Sequence, residues 1–254
     1  MKFRIRFSVV GILFTVAAIA ALAQEKTVNI GQVYAMVPKP GMTKQFEDGR
    51  KRHMEFHRKN NDTWSWLTFQ IMTGDATGTY LSTTFGHTWK DFDTWEDKLG
   101  MADSADSETN LMPYLAATTE SIWMVMPDAS NQVPTAPTSK MLEVEHFMLK
   151  PGSEADFEYS IDKVNDAIKK SGWPGHATWY ELMNGGEGPH YVLVIPHDNW
   201  ADMAEPTPSL VAMLEKTLGR HEADMLVHGF DKSVAREWSE IAVYRFDLSY
   251  VAPK

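Results

Sequence analysis

The chain has 254 residues, 43% hydrophobic and 23% charged, enough for one or two domains around a sizeable core, and this composition excludes a disordered tail, a collagen-like fibre and a disulfide-stapled miniprotein. Its 34 acidic against 24 basic residues give a formal charge of −10, which speaks against nucleic acid and anionic membrane surfaces, since both call for clustered Lys and Arg. It has no cysteine, so thiolate zinc sites, cysteine nucleophiles and lipoprotein attachment are excluded.

Residues 1–23 read as a signal peptide. Lys2, Arg4 and Arg6 precede an uncharged apolar run over 7–22, and Ala21-Leu22-Ala23 gives the small-x-small pattern of a cleavage site. The run is short for a membrane span, which takes about 20 residues. The expectation is a periplasmic or secreted protein, with no membrane association after signal cleavage.

The remainder reads as a duplication. A shift of 111 positions superposes Lys39-Pro40-Gly41 on Lys150-Pro151-Gly152, Phe46-Glu47 on Phe157-Glu158, and Gly74, Tyr80 and Trp89 on Gly185, Tyr191 and Trp200. Residues 24–126 form the first repeat and 140–254 the second. Between them, 127–139 is polar with three prolines and reads as a linker.

In chain order, alternating apolar residues over 27–37 and 141–149 predict strands. Lys-Pro-Gly turns the chain into helices over 43–60 and 154–171, with Thr43 and Ser153 as N-caps. Strands over 64–73 and 178–184 lead through Gly-rich hairpins to return strands over 80–85 and 191–195. Mostly helical stretches over 89–118 and 200–228 precede closing strands over 121–126 and 240–246. The order is βαββαβ twice: an α+β fold of two tandem ferredoxin-like repeats whose sheets pair into an α+β barrel.

On the Lys-Pro-Gly turn, the helix opening with Phe46-Glu47 and the Trp-rich strand and hairpin that follow, the chain resembles the dimeric α+β barrel superfamily, and within it NIPSNAP-like and antibiotic-biosynthesis-monooxygenase-like proteins. That resemblance implies relatives that include cofactor-independent oxygenases, cyclases and haem enzymes, so the fold alone leaves the activity open.

The two first helices differ. Phe157, Ile161, Val164 and Ile168 make an apolar stripe, and the shift places Phe46, Arg50, His53 and His57 on the same stripe of the first repeat. A buried unpaired charge or imidazole costs several kcal/mol, so these groups call for a partner. The alternative is a rotated helix with Met42, Phe46, Gly49 and Phe56 inward and Arg50 in water. Tyr80-Leu81-Ser82-Thr83-Thr84-Phe85 is also more polar than Tyr191-Val192-Leu193-Val194-Ile195-Pro196. The first repeat thus reads as a polar pocket and the second as a packed scaffold.

Arg50, His53 and His57 are the candidate catalytic residues. Arg50 would hold an anionic or carbonyl oxygen, and either histidine would serve as general base or hydrogen-bond donor. His53 and His57 have i, i+4 spacing, but two ligands do not make a metal site. A third would come from elsewhere, with His87 one source, and neither a metal nor a cofactor is expected. His221 and His228 are further ligand candidates. The acidic run 103–108 reads as a solvated helix start, Trp89 and Trp200 as packing residues, Trp64 and Trp66 as core, and Gln70 and Glu181 as a pair facing the seam between the sheets if Phe69 and Ile71 face the helices. The functional expectation is an exported protein binding a small, partly apolar molecule, in its catalytic form a cofactor-independent oxygenase or cyclase. A non-catalytic binding or assembly module and a haem or metal protein are the alternatives, and a homodimer is left open.

Overall fold

The computed structural model describes residues 29–131 and 139–253; the signal-peptide reading lies outside them. Repeat 1 runs β1 (Ile30–Pro38), α1 (Thr43–Lys59), β2 (Leu67–Ile71), β3 (Tyr80–His87), α2 (Trp89–Trp95), a π-helical turn (Glu96–Gly100), α3 (Met101–Asn110) and β4 (Leu115–Met126). Repeat 2 runs β5 (Met141–Leu149), α4 (Glu154–Ser171), β6 (Thr178–Asn184), β7 (His190–His197), α5 (Leu210–Leu218), α6 (Arg220–Ser233) and β8 (Val234–Tyr244), followed by a short 3-10 turn at Phe246–Leu248.

The eight strands close into one antiparallel barrel in the order β1-β3-β2-β8-β5-β7-β6-β4. Each repeat contributes a ferredoxin-like half. The halves join through β2–β8, with Phe69 opposite Tyr244, and β4–β6, with Met124 opposite Glu181. Closure removes the free edges that two separate four-stranded sheets would expose.

Strand alternation divides the side chains between the barrel interior and the helix-covered outer face. Phe69, Val144, Val192 and Ala242 form the interior core with Leu67, Leu81, Trp123, Leu142 and Tyr180 packed against it. Phe69 therefore faces inward, opposite to the orientation that would pair Gln70 with Glu181. Gln70 lies on the helix side and accepts a hydrogen bond from Arg245 Nη1 at 3.0 Å.

The outer cores are built alike. Phe46 packs on Tyr80 with ring centroids 4.9 Å apart, and Phe157 on Tyr191 at the same distance. Tyr80 donates to Glu47 at 2.6 Å and Tyr191 to Glu158 at 2.6 Å. Both first helices are therefore seated in the same rotation on their sheets.

Several local expectations change. Met42, not Thr43, is the N-cap of α1, and Ser153 caps α4 without a side-chain hydrogen bond. Trp89 and Trp200 are exposed, because each sits at the outer start of a helix. The reading of 127–139 as linker meets a packed start: Ala129 belongs to the repeat 2 core, and Ser130 Oγ donates to Met126 O at 2.7 Å and accepts from the Trp179 amide at 2.9 Å.

Candidate functional site

Helix α1 buries Phe46, Gly49, Arg50, His53, Met54 and His57. The polar stripe and the glycine of the rotated alternative are both inward, so the buried face is wider than either reading supposed. Gly49 explains the width. A Cβ there would lie 1.9 Å from the carbonyl oxygen of Asn110, so only glycine lets α1 and α3 approach this closely.

That approach brings α3 onto the histidines. Asp103 and Asp106 are three residues apart, on one helix face. A π turn at Glu96–Gly100 leads into α3, and this face meets α1. The acidic run is therefore not a solvated helix start: Asp106 Oδ2 accepts from His53 Nδ1 at 2.8 Å. Asp62, just beyond α1, accepts from His57 Nδ1 at 2.9 Å. The two carboxylates orient the two rings. They leave Nε2 of His53 and Nε2 of His57 facing each other at 3.3 Å, with Asp103 Oδ1 at 3.5 Å from the first and 3.3 Å from the second. This is a donor set of two imidazoles and one carboxylate, the types that hold divalent transition ions.

Burial sets the electrostatics. His53 is pushed well below the usual imidazole range, first by burial and then by the neighbouring Arg50 and His57, both of which disfavour a second cation there. Burial raises the Asp103 carboxyl to about 6, against the opposing pull of His57 and Arg50. Asp62 is also raised by burial, but hydrogen bonds from His57, the Trp64 amide and Trp66 outweigh that and hold it below the usual carboxylate range. It accepts from Trp66 Nε1 at 2.9 Å and Trp95 Nε1 at 3.1 Å as well. The aromatic cluster of Trp64, Trp66, Trp95 and Tyr250 thus serves as the frame for the histidine anchor.

Arg50 lies one helical turn before His53 and is 2% exposed. Its Nη2 donates to Ser82 Oγ at 2.6 Å, and its Nε is shared between Thr68 Oγ1 at 3.2 Å and the Leu248 carbonyl at 3.3 Å. All three acceptors are neutral. Burial depresses this guanidinium to about 10, with Asp103 the carboxylate whose charge opposes that shift. Arg50, His53, His57, Asp103 and Ser82 share one cavity of about 250 Å³, lined also by Tyr34, Thr118, Ser104 and Ser107, by the carboxylates Glu96 and Glu108, and by the apolar walls of Met36, Trp66, Leu111 and Leu115.

His87 is not the third member of the histidine group. It bonds Thr84 Oγ1 at 2.6 Å, stacks on Trp64 at 3.7 Å and is lowered to about 4 by burial. Asp103 takes that place. Its side chain was hidden in the sequence among the other polar and acidic residues of the run 103–108, with no spacing to α1 that could single it out.

Repeat 2 is not the fully packed scaffold expected. A larger cavity, about 920 Å³, opens between its sheet and helices, walled by Ile161, Val164, Ile168, Trp179, Leu193 and Phe230. Its polar groups include Glu145, raised to about 7 by burial and the nearby charges of Glu143 and Glu237. His197 also lines it, but both its ring nitrogens are engaged, by Glu143 Oε2 at 3.0 Å and the Asp202 carbonyl at 3.1 Å. His176 sits at the exposed rim, and the ligand candidates His221 and His228 are exposed on α6, outside the cavity.

No protein-family model matches the chain, and no curated protein matches it in sequence. Solved structures match it over nearly all the described length. A monooxygenase-like protein from Lactobacillus acidophilus NCFM superposes with a TM-score of 0.54 at 9% identity, over 89% of this chain and 97% of the other. An anthrone oxidase-like protein gives 0.52 at 12% identity, over 91% and 95%. A chlorite dismutase-like protein gives 0.52 at 11%, over 87% and 96%. At such identities the likeness concerns the fold alone: the chain has the ferredoxin-like α+β barrel fold of these proteins.

Proposed function

We propose that this chain is an exported protein that binds a small, partly apolar organic acid in the repeat 1 cavity, its carboxylate held by Arg50. The observation that carries this reading is the buried guanidinium bonded only to neutral oxygens. A desolvated cation without a contacting anion costs several kcal/mol. An incoming carboxylate removes that cost through a charge-assisted, fork-shaped contact. A cavity of about 250 Å³ lies below the ~300–1,000 Å³ usual for drug-sized ligands, so the acid is small. Met36, Trp66, Leu111 and Leu115 supply its apolar contacts. His53, His57 and Asp103 face the same space and form its reactive end. An oxidative or cyclising reaction on the bound acid is the enzymatic form of this reading. The leader with Lys2, Arg4, Arg6 and Ala21-Leu22-Ala23 supports export.

Calorimetric titration with benzoate and with benzamide, equal in shape but not in charge, tests this. Benzoate is expected to bind at least about tenfold more tightly, the worth of one charge-assisted contact, and Arg50→Gln is expected to abolish the difference. Equal affinity for the two probes in the wild-type protein would refute the reading whether or not the variant folds.

A further inference from the structure

We infer that the first repeat carries a divalent transition-metal site, formed by Nε2 of His53, Nε2 of His57 and Oδ1 of Asp103, with one coordination position open to the Arg50 cavity. The inference stands on atoms other than those that carry the anion reading, so the two fail separately.

The argument begins with the protons. Asp106 and Asp62 are acceptors, so each histidine gives its Nδ1 proton to a carboxylate. In neutral rings this fixes the tautomer, and each Nε2 then presents a lone pair. The lone pairs face one another at 3.3 Å. The third atom at the meeting point, Asp103 Oδ1, is buried and has no hydrogen-bond partner. Three electron-rich atoms therefore converge on one point, with His57 at 1% and His53 at 6% side-chain exposure. A metal cation bound between them satisfies all three together.

The spacing selects the kind of cation. The three ligand atoms stand 3.3, 3.3 and 3.5 Å apart. Zinc bonds of about 2.0–2.1 Å in tetrahedral geometry place ligand atoms roughly 3.3–3.4 Å apart. An octahedral face at the same bond lengths closes to roughly 2.8–3.0 Å. A tetrahedral Zn²⁺-type ion fits, and three protein ligands leave its fourth position free. The carboxylates behind both rings are the outer partners that orient metal-bound histidines. Asp103 would then give its charge to the ion, leaving Arg50 in greater need of an anionic ligand. This proposal departs from the metal-free expectation drawn from the sequence.

The test uses the mature protein, stripped with chelator and titrated with Zn²⁺ and with Co²⁺. One equivalent of Zn²⁺ is expected, with a rise in melting temperature, and Co²⁺ is expected to give the intense visible bands of a tetrahedral site. Asp103→Asn removes a group that makes no hydrogen bond, so it is expected to fold while losing at least about 100-fold in Zn²⁺ affinity. Asp106→Asn is expected to lose about 10–100-fold, as outer-partner variants do. Absence of stoichiometric uptake by the wild-type chain, or unchanged affinity in Asp103→Asn, would overturn the site. If Zn²⁺ binds but benzoate and benzamide bind alike, the metal site stands and the organic-acid reading falls.

Discussion

The two repeats hold their first helices by the same contacts and fill the space behind them with opposite chemistry. The Phe46–Tyr80–Glu47 arrangement recurs as Phe157–Tyr191–Glu158 at the same distances. The difference along the next three turns is therefore one of side chains, not of helix rotation. Arg50, His53 and His57 stand where Ile161, Val164 and Ile168 stand in the second copy. Hydrocarbon at those positions leaves a roomy, mainly apolar cavity, whereas ionisable groups draw in α3 and its carboxylates to form a smaller, polar one. A duplicated module thus keeps its framework by conserving the first turn of the helix contact and changes its chemistry in the turns beyond.

A second contrast sharpens the first. Repeat 2 also has a half-buried histidine pair, His146 Nδ1 to His190 Nε2 at 3.1 Å, set inside the barrel. Its neighbours are indoles: Trp238 stacks on His146 at 4.6 Å, and Trp123 meets the edge of His190 at 5.2 Å. Among the described residues no carboxylate hydrogen-bonds these rings, and one ring bonds the other. In the first repeat, carboxylates take both Nδ1 atoms and turn both Nε2 atoms toward one point. Carboxylate backing, rather than histidine proximity, separates a candidate site from a packing pair.

The largest effect that probes this comparison is expected at Asp62, whose repeat 2 equivalent is Trp173. Asp62→Ala strands buried donors on His57, Trp64, Trp66 and Trp95. Chemical denaturation should show a loss of about 3–5 kcal/mol, the usual cost of breaking a buried charged network. A smaller effect is expected at the helix approach. Gly49→Ala drives a methyl against the Asn110 carbonyl and should cost about 1–3 kcal/mol by overpacking. The same measurement on Ser160→Ala, at the equivalent position, should show less than about 1 kcal/mol, since its hydroxyl bonds only to its own helix at Asp156 O. There the close approach is provided by Gly229 on α6 instead.

A third probe of the comparison is a pH slope. Burial lowers His146 and His190 to about 4 in the fold, aided by the charge of His190 on His146 and of Arg236 on His190. An unfolded chain takes up these protons near 6.5. The folded state binds fewer protons in between, so the stabilisation is complete above about pH 6.5 and is lost as the pH falls toward 4. Melting temperatures measured across that window should fall less steeply in the His146→Gln/His190→Gln double variant than in the wild type. His87 titrates in the same range, so part of the slope should persist.

The barrel and the polar face of α1 were legible because strand alternation, Gly-rich hairpins and the 111-residue shift are all local or self-referential patterns. The shift was especially informative: an isoleucine at 161 marks position 50 as buried whatever residue occupies it. Asp103 was not legible. Its run mixes acidic residues with serines and an alanine and marks no single face, and its direction depends on contact between α1 and α3, a consequence of tertiary packing. Gln70 failed for a related reason, since a one-residue error in the facing of β2 exchanges interior and exterior. The repeat 2 cavity escaped notice because apolar composition reports burial and says nothing of how completely the residues fill space.

The central claim, that the first repeat holds the functional site and the second does not, is tested most directly by anomalous diffraction from crystals soaked with Zn²⁺ and 4-bromobenzoate. The account requires a zinc peak between His53, His57 and Asp103 and a bromine peak in the small cavity, with the carboxylate against Arg50. Bromine in the large cavity of the second repeat, with no zinc at the histidine pair, would contradict it.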